Sequence, residues 1–306
     1  MLLKFAVKEY LEEKKFQNAS DYTLKSYKTV LNEFYDYCTD QEVKDTSQID
    51  SRIIKSYLRY CKNEKGNKTS TVNGKIRITK AFVNYLLDEE ILICNTHPFK
   101  NIKQSKEDIR INTFTDTHIK QILRYFERQT RKTPFIGMRN RMTVLIMLGT
   151  GVRVGEIVNI TWNDLDIRNG YITTFGKKRQ SITIPLTNKL LKEIIEYKVF
   201  TDEFFDGKTP TYMFPTRSGK KWTQEGARSI FKRLKDHFNF DDVRLSAHTL
   251  RHSFASRSLR NGMDITVLKE ILHHQSLQMS QRYVDLWGSA VKEMNDKFNP
   301  LNDLDI

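Results

Sequence analysis

A polar stretch without periodicity, residues 94–111, constrains the fold most strongly, because it divides the chain into two parts. The stretch contains His97-Pro98, and its apolar residues follow neither helical nor strand spacing. A chain of 306 residues is long enough for two domains. We therefore expect one domain at residues 1–94, a linker at 95–112, and a second domain at 113–306.

The first part carries four amphipathic segments whose apolar residues recur at helical spacing. Ser20 has the side chain of an N-cap for the second segment, and Asp50 precedes the third. These segments predict a small all-helical domain. Its basic helix faces could follow phosphates or could be ordinary solvated surface; they contain Lys62, Lys65, Lys68, Lys75, Arg77 and Lys80.

The second part mixes helical segments with two short strands. A buried helix candidate ends at the turn signal G-T-G, residues 149–151. Residues 171–175 and 181–186 alternate as strands, joined by a basic turn at 176–180. Further amphipathic helices follow, and the whole pattern predicts a mainly α fold with a small antiparallel β-sheet.

Composition narrows the class of partner. The chain has 51 Lys and Arg against 37 Asp and Glu, a net charge of +14. Most of the excess positive charge lies after residue 110, where the sequence has 31 basic and 21 acidic residues. An anionic polymer, nucleic acid first, is the expected partner, with a basic but otherwise ordinary soluble enzyme as the alternative.

Three cysteines without C-x-x-C spacing argue against a disulfide scaffold and against a cysteine-based zinc site. The N-terminus becomes charged too soon for a signal-peptide core, and no apolar run is long enough to span a bilayer. We therefore expect a cytoplasmic protein without a membrane partner.

Residues 247–256, A-H-T-L-R-H-S-F-A-S, carry the densest group of chemically useful side chains. His248 and Arg251 are three residues apart and share a helix face, so both can face one small anion, with His252 beside them. Arg153 lies at a predicted helix start, where free backbone N–H groups also attract anions. H-x-x-x-H can hold zinc, but Thr249 stands where H-E-x-x-H needs glutamate, so no metal is expected.

Six side chains together suit a phosphodiester. Two guanidiniums match phosphate oxygens, and preorganised donors stabilise the extra negative charge of a pentacoordinate phosphorus. A tyrosine can be a covalent nucleophile, histidine carries protons near neutral pH, and lysine can protonate a leaving alkoxide. The six candidates are Arg153, Lys177, His248, Arg251, His274 and Tyr283.

These motifs resemble those of the tyrosine recombinase, or phage integrase, family. The matching segments are H-T-L-R-H at 248–252, G-T-G-V-R-V-G-E at 149–156, F-G-K at 175–177 and L-H-H…Y at 272–283. Arg153 and Lys177 are 24 residues apart and His274 and Tyr283 are nine apart, as in the Xer-like members. The resemblance covers roughly residues 113–298. More loosely, the helical N-terminal domain resembles the family's core-binding, SAM-like domain.

The resemblance implies a site-specific DNA recombinase that cuts and rejoins strands through a 3′-phosphotyrosyl intermediate and a Holliday junction, in integration, excision or resolution. Tyr283 would attack the scissile phosphate, which Arg153 and Arg251 hold. Lys177 would protonate the leaving 5′-hydroxyl, and His248 would assist the proton transfers.

The resemblance also implies supporting residues. His274 would donate a hydrogen bond to a phosphate oxygen, and Glu156 would orient its neighbours. His252 is interpreted as structural support. Where the family often has glycine before the second-box histidine, this chain has His273, and the spacing to Tyr283 favours His274 over His273 as the residue that faces the phosphate.

By the same resemblance, an α+β catalytic domain and the helical domain form a C-shaped clamp around double-stranded DNA. Four protomers assemble on two sites, with an accessory protein as a further partner, in the bacterial cytoplasm at the nucleoid. Neither metal nor ATP is expected, because the phosphotyrosine stores the bond energy. The segment 289–298 is interpreted as a helix that docks on a neighbour or packs within its own chain.

Three other functions remain open at the level of sequence. The first is a nicking-closing enzyme like a type IB topoisomerase, against which the Xer-like spacing and the separate helical domain argue. The second is a DNA-binding regulator of the same fold that no longer cleaves, against which the complete set of catalytic residue types argues. A basic metalloprotein is the most distant reading.

Overall fold

The computed structural model describes residues 1–107, 111–176 and 181–273. Contacts divide the chain into two compact units, Met1–Ile109 and Arg110–Ile306. Three predicted site residues, Lys177, His274 and Tyr283, lie outside the described residues, as does the segment 289–298.

The first unit is helical, as predicted. Ser20 caps the second helix, since its Oγ accepts a hydrogen bond from the Thr23 N–H at 3.3 Å. Asp50 caps the third through the N–H groups of Arg52 and Ile53. The helices are α1 (Leu3–Phe16), α2 (Asp21–Asp40), α3 (Ser51–Asn63) and α4 (Thr69–Asp88).

Aromatic side chains fill the core between these four helices. The rings of Tyr10 and Phe82 lie 5.4 Å apart, and those of Phe34 and Tyr57 lie 5.0 Å apart. All four are fully buried, and each such ring removes a large apolar area from water. Phe99, within the predicted linker, is also buried in this core, so the start of that segment packs against the first unit.

Lys75 lies inside the first unit and not on its surface. Its Nζ donates to Glu33 Oε1 at 2.5 Å and its side chain is 7% exposed. Burial raises the pKa of Glu33, but hydrogen bonds from Lys75 and Cys61 outweigh it, so the net pKa is lowered. The prediction that Lys75 shares a phosphate-facing or solvated surface is therefore wrong. The other five members of that set are exposed: Lys62, Lys65, Lys68, Arg77 and Lys80.

The second unit combines helices with a three-stranded antiparallel sheet of order β1-β2-β3. Two strands confirm the prediction, and their register pairs Ile172 with Ile184 on the buried face. The strands are β1 (Leu165–Asp166), β2 (Tyr171–Phe175) and β3 (Ser181–Pro185). The helices are α5 (Asp116–Lys132), α6 (Pro134–Thr150), α7 (Val154–Ile157), α8 (Asn188–Phe204), α9 (Gln224–His237), α10 (Ala247–Arg260) and α11 (Ile265–Leu272).

Gly151, which ends α6, positions the candidate site. Its φ of 69° is in the left-handed region, which glycine adopts without strain. A Cβ there would lie 2.5 Å from the ring of Phe254 on α10 and 2.6 Å from Leu272 on α11. Glycine is thus required by both conformation and space, and it lets the α6–α7 turn approach both helices.

α6 forms the centre of this unit and contacts α5, α8 and α10. Its buried residues lie on all sides of the helix, which is the pattern of a core helix. It has 17 residues. In the described ranges, no helix is long and apolar enough to cross a membrane.

Candidate active site

Arg251 ties three elements together. Its side chain, on α10, is buried. Its Nη1 donates to the Gly151 carbonyl at 2.7 Å, and its Nη2 donates to the Leu272 carbonyl. A guanidinium offers several donors in a rigid plane, so one side chain can bond two carbonyls from different elements. Arg251 therefore fixes the α6–α7 turn and the end of α11 against α10.

Arg153 precedes α7 and is oriented by Glu156. Its Nη1 donates to Glu156 Oε1 at 2.8 Å, and its backbone N–H donates to Glu156 Oε2 at 2.8 Å. The Arg153 side chain is 42% exposed, whereas that of Glu156 is 10% exposed. The sequence predicts that free backbone N–H groups at this helix start attract an anion; the Arg153 N–H is not one of them, because the Glu156 carboxylate accepts its hydrogen bond. The exposed Arg153 side chain can meet an anion.

His248 lies one helical turn before Arg251 and faces the same cavity as Arg153 and Arg251, about 660 Å³ in volume. Burial lowers its pKa, and the positive charges of Arg251, Arg153 and Arg244 lower it further. The imidazole is therefore neutral at neutral pH and can accept a proton.

His252 packs against His248. The two rings meet edge to face with their centroids 4.3 Å apart, and His252 is half-buried. This contact restricts the rotation of the His248 ring. The supporting role of His252 stays a prediction.

His273 follows α11 directly, in a left-handed conformation with φ 50° and ψ 49°. Burial lowers the pKa of its imidazole, the Glu156 carboxylate raises it, and the charges of Arg153 and Arg251 lower it. His273 therefore lies within electrostatic reach of both arginines. The spacing to Tyr283 favours His274 over His273 as the residue facing the phosphate, and this stays a prediction because His274 lies outside the described residues.

Four further cations line the cavity that holds Arg153, His248 and Arg251. Three of them lie on α9 at i, i+4 and i+7, a spacing that places them on one helix face. The opposite face of α9 is buried. This group was not predicted from the sequence, although basic residues at i, i+4 and i+7 on an amphipathic helix are a readable signal. The four are Arg228, Lys232, Lys235 and Arg244.

The charges of the cavity define what it can bind. None of its described lining residues is acidic, and Glu156 is engaged by Arg153. Arg228 also lies 3.7 Å from the exposed Glu225 carboxylate, but the cations of the lining outnumber these two carboxylates. Converging guanidinium and ammonium groups attract a polyanion and pair well with phosphate oxygens. Among the residues that the structure describes, no group of three or more His, Cys, Asp or Glu side chains is arranged to hold a metal ion.

We expect His248 to titrate below its ordinary pKa, near 6.5, in the free protein. The unfolded chain takes up this proton first, so folding free energy is lost as the pH falls below about 6.5 towards the folded-state pKa. An NMR titration of the imidazole, assigned with His248→Gln, measures the midpoint. Arg244→Gln should move the midpoint upwards, because it removes one neighbouring positive charge. A midpoint at or above the ordinary value would contradict the desolvated, cation-flanked environment.

We expect His273→Gly to stabilise the folded chain relative to His273→Ala by about 1 kcal/mol. Both variants lose the imidazole, but only glycine adopts the left-handed conformation at this position without a Cβ penalty. Urea unfolding of the two variants measures the difference. Equal stabilities would mean that the backbone at His273 is not held in this conformation.

Known proteins of similar sequence span nearly the whole chain. Tyrosine recombinase XerD of Oceanobacillus iheyensis is 24% identical over 303 residues, which cover 98% of this chain and 99% of the relative. Tyrosine recombinase XerC of Pelotomaculum thermopropionicum is 28% identical, over 93% of this chain and 94% of the relative.

Solved structures share the fold. The Tn1549 transposon integrase in complex with transposon right end DNA is similar with a TM-score of 0.76 and 17% identity, covering 92% of this chain and 94% of that one. The XerH site-specific recombinase bound to palindromic difH substrate is similar with a TM-score of 0.73 and 20% identity, covering 93% and 82%. These similarities confirm the predicted fold class.

Two family models account for most of the sequence. The model of the phage integrase SAM-like domain matches residues 1–104. The model of the phage integrase family matches residues 112–287, which is more than half of the chain and includes every predicted catalytic residue. The chain therefore belongs to the phage integrase family.

Proposed function

We propose that this protein cuts and rejoins double-stranded DNA at specific sites, through a 3′-phosphotyrosyl intermediate and a Holliday junction. Membership of the family makes it a tyrosine recombinase, and DNA is its substrate. The observation that carries the assignment of the site is the convergence of Arg153, His248 and Arg251 on one cation-lined cavity. The fit of this cavity to a phosphodiester supports strand cleavage there.

Arg251 and Arg153 hold the scissile phosphate. Each guanidinium is oriented before DNA arrives, Arg251 by the carbonyls of Gly151 and Leu272 and Arg153 by Glu156. Donors fixed in advance need no reorganisation when negative charge grows on the phosphate oxygens. They therefore stabilise the pentacoordinate transition state more than the bound substrate.

The reaction exchanges one phosphodiester for another. The phenol oxygen of Tyr283 attacks phosphorus, the Tyr283 Oη–P bond forms, and the P–O5′ bond breaks. His248, neutral at physiological pH, takes part in removing the phenol proton, and Lys177 supplies a proton to the departing 5′ oxygen. His274 donates to a phosphate oxygen. The 5′-hydroxyl of the cleaved strand in the partner duplex then attacks the phosphotyrosine and releases Tyr283. Because the phosphotyrosine keeps the energy of the phosphodiester bond, neither metal nor ATP is required.

The cations on α9 bind phosphates beside the scissile one. Arg228, Lys232 and Lys235 share a helix face that lines the cavity of Arg153 and Arg251. Each phosphate contact releases a counterion, so affinity falls as salt rises. A steep salt dependence of DNA affinity is part of the proposal, and a flat one would count against it.

Four protomers assemble on two DNA sites, and the segment 289–298 docks on a neighbouring protomer. A solved integrase of similar fold, that of phage lambda, is a tetramer bound to a Holliday junction. An accessory protein is a further partner. The protein acts at the nucleoid of a bacterium, and its similarity to a transposon integrase fits a mobile element as the source of its sites.

The decisive experiment uses a nicked suicide duplex that carries the recombination site from the DNA flanking the gene. The wild-type protein, with a metal chelator present, should form a covalent protein–DNA adduct that survives denaturation. DNA binding without an adduct would favour the silent regulator. Relaxation of supercoiled plasmids that lack the site, at the same rate as plasmids that carry it, would favour the nicking-closing enzyme.

Lys177→Ala should slow cleavage of an ordinary phosphodiester, because the leaving 5′ oxygen then departs without its proton. General acids contribute about 10²–10⁴-fold. A substrate with sulfur at the bridging 5′ position needs no proton and should restore most of the rate. Lys178→Ala is the matched control, since it removes the charge of the next residue in the sequence. Failure of the sulfur substrate to rescue Lys177→Ala would place the general acid on another residue.

A further inference from the structure

A groove between α1 and α2 in the first unit has no role in the proposed reaction. Its volume is about 710 Å³. Phe5, Leu11 and Leu24 form its apolar floor, and Phe5 is 58% exposed. An aromatic side chain so exposed on a well-formed helix leaves apolar area in water that a partner could bury.

Lysines surround this floor. Five lysines and one glutamate line the α1–α2 groove, and its described lining is therefore strongly positive. Lys8 lies 3.9 Å from the Glu12 carboxylate, and both side chains are largely exposed, so this ion pair neutralises the rim only weakly. The five lysines are Lys4, Lys8, Lys15, Lys25 and Lys28.

The arrangement suits a protein segment better than nucleic acid. A DNA backbone would pair with the lysines but would gain nothing from covering Phe5, Leu11 and Leu24. A helix with apolar residues on one face and carboxylates on both flanks would cover the apolar floor of the groove and pair with the lysines of its rim. Recognition of an amphipathic helix in a groove between two helices uses this same combination.

We propose that the α1–α2 groove binds an acidic amphipathic helix of a partner protein. Apolar side chains of that helix cover Phe5, Leu11 and Leu24, and its carboxylates pair with Lys8 and Lys28 on opposite sides of the groove. The inference goes beyond the proposed recombination chemistry, because it concerns residues of the first unit and needs no strand cleavage.

Fluorescence anisotropy of the full chain with a labelled peptide tests this directly. The probe is a capped peptide of about 18 residues, long enough to be helical, with leucine on one face and glutamate elsewhere. We expect a Kd of about 10–100 µM. A peptide of identical composition, scrambled so that leucine falls on all sides, should bind at least about tenfold more weakly. Equal binding of the two peptides overturns the proposal.

Matched variants separate the groove from general charge and hydrophobicity. Phe5→Ser and the double variant Lys8→Glu/Lys28→Glu should each weaken peptide binding by at least about tenfold. Phe16→Ser removes an aromatic ring that is 82% exposed outside the groove and should change nothing. A second charge reversal, Lys55→Glu/Lys62→Glu on α3, should also leave peptide binding unchanged. Loss of binding in these controls overturns the proposal.

Two further outcomes assign the groove to another occupant and overturn the proposal. The first is displacement of the peptide by a short DNA duplex, with loss of DNA affinity in Lys8→Glu/Lys28→Glu. The second is dimerisation of the free chain in sedimentation that Phe5→Ser abolishes, since a second copy would then fill the groove. None of these measurements uses cleavage. A negative result for the groove therefore does not contradict the recombinase assignment, and absence of a DNA adduct does not contradict peptide binding in the groove.

Discussion

Tyr283→Phe is expected to abolish the covalent protein–DNA adduct while leaving DNA affinity unchanged. The substitution removes one oxygen, the atom proposed to bond phosphorus, and keeps the ring. Loss of a nucleophile removes the covalent pathway itself, so the adduct should fall by more than about a thousandfold, to below detection. The phosphate contacts proposed for Arg153 and Arg251 are kept in this variant, so binding should remain.

The measurement is the suicide-duplex assay on denaturing gels, with DNA affinity determined at the same salt. Tyr171→Phe is the matched control, because Tyr171 is an exposed tyrosine of the same unit and should give the wild-type adduct. An adduct formed by Tyr283→Phe would show that another side chain attacks the phosphate. Lost binding together with the lost adduct would show that the phenol does more than attack.

Local signals predicted most of the fold. Helical spacing and cap residues act over three or four positions, and Ser20 and Asp50 each cap the helix that they were expected to begin or precede. β1 was missed because two residues have no periodicity to read. Lys75 was misassigned because its partner, Glu33, lies 42 residues away on another helix, and sequence spacing within α4 contains no sign of it.

The candidate site also has features that could be predicted from local sequence and features that could not. The three-residue spacing of His248 and Arg251 on one helix was readable, as was their convergence with Arg153 once the family pattern was recognised. The carbonyl partners of Arg251 lie 100 and 21 residues away, so no local pattern indicates them. The bond from the Arg153 N–H to Glu156 was not predicted, although it is local, because Glu156, three residues on, has the position and the acceptor of a capping box.

Arg251→Lys should lower the rate of adduct formation per folded molecule by at least about a hundredfold. The guanidinium bonds two carbonyls from separate elements, and in the proposed mechanism its charge also stabilises the phosphate. Lysine keeps the charge but places all its donors on one atom, so it cannot span both carbonyls in the same plane. A buried carbonyl left without a donor also costs about 1–3 kcal/mol of folding free energy. DNA affinity should change little, because the exposed cations of α9 remain.

Arg257→Lys, six residues later on α10, separates the two effects. Arg257 also donates to a carbonyl, that of Phe114 at 2.9 Å, and pairs with Asp116, but it does not line the cavity. It should lose stability in urea unfolding and keep the cleavage rate of the folded protein in single-turnover assays. If Arg251→Lys behaved in the same way, the guanidinium of Arg251 would be only an internal brace. A rate loss confined to Arg251→Lys would instead mean that its orientation by Gly151 and Leu272 serves the transition state.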